Sequence, residues 1–224
     1  MVAVPYLGRS HINPLMNLWK ILASKNKDIL ITFVVTEEWL DFIGSDPKPN
    51  NIHFASIPNV IPSELVCAAD ITSFFEAVLT KLEAPFVQQL DWLELPVTVI
   101  IHDTMLFWVV GVGNRRNIPV ASFWPMSASM FSTIQHFAAD KGEAKEHIKD
   151  LPHDGKNQDI SQRILEACSW VTKAQYSFCT STYELESKTI DVLKAENSFP
   201  VYAMGPAIPY FDLGENTNNS TSTI

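Results

Sequence analysis

His11 and Asp103 are the two side chains of this sequence best placed to do chemistry. His11 lies in the stretch Gly8-Arg9-Ser10-His11-Ile12-Asn13-Pro14, between the apolar run Met1 to Leu7, which reads as a buried strand, and an amphipathic segment that reads as a helix. Asn13 followed by Pro14 has the pattern of a helix cap and first helical residue, where a proline forfeits no hydrogen bond. His11 is therefore expected in the loop before the helix. Asp103 follows a second apolar run, Val97 to His102. In an open parallel sheet both positions fall at carboxyl ends of strands, where ligands gather. A carboxylate beside an imidazole selects one tautomer and raises its basicity, as a general base acting on a hydroxyl requires. The same residues also fit a packing or capping histidine and a helix-capping aspartate. Residue type and spacing leave both readings open.

Other chemistry-bearing residues are less well placed. His102 precedes Asp103 directly, so strand geometry turns it to the opposite face, and it reads as structural. Gly111-x-Gly113 has two of the three glycines of a dinucleotide fingerprint, but it lies at the end of a helical run, where a C-terminal cap is the expected use. His147 and His153 lie in a polar connection without metal-ligand spacing. No G-x-S-x-G elbow, Walker loop or H-E-x-x-H helix occurs, which removes support from hydrolase, kinase and zinc-protease readings. Cys67, Cys168 and Cys179 are an odd number, which suits free buried thiols in a reducing compartment.

The elements that must position these side chains alternate along the chain. Helical periodicity at Leu15, Leu18, Trp19 and Leu22 predicts a helix from Pro14 to Ser24. Asp28 to Thr36, Asn51 to Ser56, Val97 to His102, Ile118 to Trp124, Tyr176 to Thr180 and Val201 to Met204 read as further strands. Between them, helices are expected over Asp70 to Leu95 with a break at Pro85, then over Met105 to Val112, Pro125 to Ala139, Ile160 to Lys173 and Glu184 to Ala195. Alternation of this kind predicts an α/β fold, a doubly wound parallel sheet. Asp140 to Asp159 is polar and reads as a surface connection, while 212–224 reads as a polar linker or tail.

With 224 residues, 46% of them hydrophobic, the chain can bury a sizeable core. Its 25 acidic against 16 basic side chains give a net charge of -9, which argues against a nucleic-acid partner. No apolar run reaches the roughly 18 residues of a spanning helix, so no transmembrane segment is expected. The N-terminal run is too short for a signal peptide and lacks a basic start, and a cytoplasmic protein is the expectation.

Gly8 to Leu18, Ile29 to Leu40, Val97 to Met126, Ser181-Thr182-Tyr183-Glu184-Leu185-Glu186 and Tyr202-Ala203-Met204-Gly205-Pro206 together resemble a plant family 1 UDP-glycosyltransferase, nearest to group 87. The resemblance implies a GT-B architecture of two Rossmann-like domains, of which residues 1–211 would be the N-terminal acceptor-binding one. It implies that His11 deprotonates an acceptor hydroxyl, that Asp103 holds and polarises His11, and that the oxygen displaces UDP with inversion. It further implies no metal and no resident cofactor, with a UDP-sugar, expected to be UDP-glucose, as co-substrate. The acceptor would be a small phenolic, flavonoid or terpenoid of plant secondary metabolism, walled by Arg9, Phe107, Trp124, Met126 and Ser127.

Four departures accompany the resemblance. The family's donor signature, a Trp- and Gln-rich box containing H-C-G-W-N-S, does not occur in this sequence, so the C-terminal donor-binding domain is expected to be absent. Pro125 stands where relatives often carry a hydroxyl residue, the 140–159 connection lacks a Tyr-Ile-Pro-Gly stretch, and Ser10 replaces the commoner glycine. The expectation is an acceptor-binding half, as a fragment or a truncated copy. The alternative is a noncatalytic aglycone-binding or protein-interaction module derived from such an enzyme.

Overall fold

The structure, a computed structural model, describes residues 1–65, 70–139 and 155–205, with the side chains of 138–139 and 155–159 outside the description. Seven strands form one parallel sheet: β1 (Val2–Val4), β2 (Ile31–Thr36), β3 (Ile52–Ile57), β4 (Ile100–Asp103), β5 (Val120–Trp124), β6 (Tyr176–Cys179) and β7 (Val201–Ala203). Their order is β3-β2-β1-β4-β5-β6-β7, so the sheet winds outward in both directions from the β1/β4 pair. Every residue of β1, β4 and β5 is buried. That is why β1 and β5 are almost wholly apolar: a parallel sheet covered on both faces has no wet side to alternate with.

Helices flank the sheet: α1 (Arg9–Lys25), α2 (Glu37–Ile43), α3 (Ile71–Lys81), α4 (Glu83–Asp91), α5 (Trp108–Arg115), α6 (Ala128–Ala139), α7 (Gly155–Trp170) and α8 (Tyr183–Glu196), with a 3-10 turn at Val171–Lys173. The break expected at Pro85 falls at Leu82 instead. Pro85 lies in the first turn of α4, where a backbone N–H has no partner within the helix to lose.

Gly111 and Gly113 are not a C-terminal cap, because both lie inside α5. A Cβ on Gly113 would collide with the Val120 side chain and lie 3.0 Å from the Ile118 carbonyl, so this glycine lets α5 press onto β5. The chain reverses at Asn117, whose φ of 54° is the left-handed conformation that ends many helices. Two apolar clusters result, a large one around β1, β2, β4 and α1 and a smaller one around Trp124, Phe131 and Ile190, and Tyr6 packs against both. Cys168 and Cys179 are buried free thiols. Cys67, His147, His153 and the 212–224 tail lie outside the described residues.

Candidate active site

The site is built where β1 and β4 end side by side, with Val4 in register with His102. α1 starts at Arg9, four residues before Asn13, so His11 stands in the first helical turn rather than in a loop. Gly8 is the N-cap in an extended conformation, and its carbonyl accepts from the N–H groups of both His11 and Ile12. The added turn buries Ile12 and leaves Pro14 inside the helix, where its ring removes one backbone donor.

His11 Nδ1 lies 2.7 Å from Asp103 Oδ2; the aspartate side chain is fully buried and that of the histidine is 18% exposed. Because the carboxylate accepts, Nδ1 carries the proton and Nε2 is left with a free lone pair. Asp103 Oδ1 accepts from the Met105 N–H at 2.9 Å, so both oxygens are held. Burial works against the charged imidazole, but the charge of Asp103 and its hydrogen bond outweigh it and raise the His11 pKa above the ordinary 6.5. The Tyr6 ring meets that of His11 at a centroid distance of 4.9 Å, tilted by 51°, and in turn meets Phe75 of α3 at 5.8 Å.

His102 is structural, as its strand position predicts. Its Nδ1 donates to the Asp103 carbonyl at 2.7 Å, and burial pushes its pKa down to about 4. Beneath it the Thr104 hydroxyl meets the Ser122 hydroxyl at 2.8 Å and the Phe123 carbonyl at 3.1 Å, tying the end of β4 to β5.

The other candidate residues lie at or after the carboxyl ends of β1, β4 and β5, along one rim of the parallel sheet. Arg9 is exposed and reaches over the Trp39 ring of α2 at 5.8 Å. Phe107 lies half-buried between β4 and α5, its ring 5.9 Å from that of Trp170. Trp124 is only 1% exposed: its ring packs on Phe131 and its indole N–H donates to the Ser127 carbonyl at 3.0 Å, so it supports the β5–α6 turn from below. Met126 is 38% exposed, and the Ser127 hydroxyl accepts from the Met130 N–H. Sequence reasoning missed Tyr6, which was hidden in an apolar run. Among the described residues no group of three or more His, Cys, Asp or Glu could hold a metal ion.

No protein-family model matches the chain. UDP-glycosyltransferase 87A1 of Arabidopsis thaliana is 45% identical over 96% of the chain and 54% of the relative. UDP-glycosyltransferase 87A2 of the same plant is 42% identical over 98% of the chain and 53% of the relative. The chain is a relative of the plant UDP-glycosyltransferases. It spans about half the length of the curated glycosyltransferases it matches. The fold agrees: the structure of Os79 from O. sativa in complex with U2F and trichothecene superimposes with a TM-score of 0.76 at 16% identity, over 98% of this chain and 55% of that one. The sheet is thus the Rossmann-like unit found in plant glycosyltransferases of GT-B architecture. No helix among the described residues is long and apolar enough to cross a membrane.

Proposed function

We propose that this chain is the acceptor-binding part of an inverting UDP-glycosyltransferase, with His11 as general base and Asp103 as the group that orients it. The observation that carries the reading is the 2.7 Å bond between a fully buried carboxylate and a partly exposed imidazole at the point where the sheet changes direction.

In this reading His11 Nε2 takes the proton of an acceptor hydroxyl as the oxygen forms its bond to the anomeric carbon. The bond from that carbon to the UDP oxygen breaks, the electron pair leaves with UDP, and the configuration at the carbon inverts. Asp103 stabilises the imidazolium that forms, which is the charge state its position already favours. Tyr6 sets an aromatic ring beside the same cation.

A small phenolic, flavonoid or terpenoid acceptor fits the half-buried Phe107, the exposed Met126 and the Ser127 turn, with Arg9 at the far side of His11. UDP-glucose is the proposed donor, held by the part of a full-length glycosyltransferase that this sequence does not match. Residues 1–211 would then be the acceptor domain and 212–224 a linker. The buried free thiols suit a cytoplasmic setting.

The test is glucose transfer from UDP-glucose to a panel of flavonols and simple phenols, read by mass spectrometry for the wild-type chain and His11→Ala, each fused to the donor-binding half of a plant UDP-glycosyltransferase. Transfer is expected to fall by about 10² to 10⁴ in the variant. A variant that keeps more than about a tenth of wild-type activity removes His11 as the base.

A further inference from the structure

We propose that Glu186 is a positioning residue for acceptor binding: its carboxylate locks the β5–α6 turn, Pro125 to Ser129, onto the β6–α8 turn and so fixes the part of the rim that carries Met126 and Ser127. The proposal rests on reading that rim as the acceptor site.

Each oxygen of the carboxylate is doubly engaged. Oε1 accepts from the Ser129 N–H at 3.0 Å and from the Ser129 hydroxyl at 2.5 Å. Oε2 accepts from the Ala128 N–H at 3.1 Å and from the Ser181 hydroxyl at 2.6 Å. The Ser181 oxygen also accepts from the Ala128 N–H at 2.6 Å, which closes a ring of bonds between the two turns. Ala128 and Ser129 are the first residues of α6, whose N–H groups have no partner within their own helix.

An acidic residue in the first turn ordinarily reaches back to the cap of its own helix. Glu186 does not. It departs from helical geometry at the start of α8, with φ of -128° and ψ of 27°, and places its carboxylate on the start of α6. A charged acceptor at a helix N-terminus gains from the helix dipole as well as from the individual bonds. The hydrogen bonds from Ser129 and Ser181 hold its carboxyl down to about 2, so the group is ionised throughout the neutral range.

Other bonds finish the turn. The Trp124 indole holds the Ser127 carbonyl, the Thr180 hydroxyl donates to the Met126 carbonyl at 3.3 Å, and the Thr180 N–H donates to the Trp124 carbonyl. With these polar groups engaged, the Met126 side chain and the outer edge of Ser127 are the parts left to meet a ligand. Glu186 contributes the only charge among the bonds named here, and it acts from an element 57 residues distant in sequence.

Glu186→Gln keeps the shape and removes the charge. In ¹⁵N-labelled chain, amide exchange at Ala128 and Ser129 is expected to speed up about tenfold or more, while the amides of Val34 and Ile101 keep their wild-type rates. The Trp124 indole resonance should shift with the Ser127 carbonyl, and affinity for quercetin, used as the probe, should fall about fivefold or more. Ser181→Ala removes one donor and one acceptor of the ring and should reproduce part of each effect, which keeps the test open if Glu186→Gln does not fold. Unchanged exchange and an unchanged indole in these variants would overturn the clamp, as would a uniform acceleration of all amides. Local loosening with unchanged quercetin affinity would overturn the link to acceptor binding. If the wild-type chain binds no quercetin, the acceptor reading of the rim falls with that link, whereas the exchange rates still decide whether the clamp exists.

Discussion

Asp103 holds His11 through one oxygen and the Met105 backbone through the other, at 2.7 and 2.9 Å. The carboxylate therefore cannot turn to follow the imidazole; it dictates where the imidazole points. In a site with a mobile aspartate the histidine would be oriented only when substrate arrived, whereas here the tautomer is set beforehand.

Asp103→Asn tests that relationship directly. Asp103 supplies both the charge and the hydrogen bond that raise the His11 pKa, against a burial effect that lowers it. The variant removes the charge that opposes burial, so the imidazole should titrate below its wild-type value in an NMR pH series. An unshifted titration would remove Asp103 as the source of the basicity. The sign for stability follows: a raised folded pKa means that the His11–Asp103 contribution is complete below about 6.5 and is lost as pH rises through the folded value.

His102 should behave in the opposite way. Buried and neutral, it accepts a proton only near pH 4 in the fold but near 6.5 when unfolded, so its contribution is complete above about 6.5 and is lost as pH falls towards 4. The full difference amounts to about 3 kcal/mol. Across pH 7, 5 and 4, the urea midpoint of wild type should fall relative to that of His102→Leu, because only the wild type carries this group. A difference between the two that does not depend on pH would refute the assignment.

Gly113→Ala should destabilise the chain without altering the site. The new methyl would meet the Val120 side chain and the Ile118 carbonyl in a tightly packed helix-to-strand contact, at a cost of about 1–3 kcal/mol. Urea denaturation measures it, and a midpoint equal to that of wild type would mean that α5 can back away from β5 freely.

Much of this architecture is legible in the residues. The runs Ile31–Thr36 and Val120–Trp124 identify themselves as doubly covered strands, and the alternation with helices predicts the parallel sheet that carries His11 and Asp103 to neighbouring strand ends. The start of α1 was not legible. Asn13 and Pro14 satisfy a local capping preference, but an additional turn buries Ile12 at the cost of one backbone bond, and a preference worth about 1 kcal/mol yields to that burial. Gly113 looked like a cap because its close neighbour, Val120, lies beyond a turn that no local pattern describes. The contacts of Glu186 were not legible for a similar reason: they go to Ala128 and Ser129, on another helix.

The parallel order of the sheet also sets a timetable for synthesis. β1 needs β4 beside it, and nearly a hundred residues separate Val2 from its partner Ile100. At about 5–20 residues per second, a ribosome delivers β4 several seconds after β1. During that interval one edge of β1 has no strand to pair with, although β2 can already cover the other. Assembly of the His11–Asp103 pair thus has to wait for β4, and pulse-labelled exchange of the Val2 amide, which donates to the Val99 carbonyl, should show protection only once β4 has left the exit tunnel.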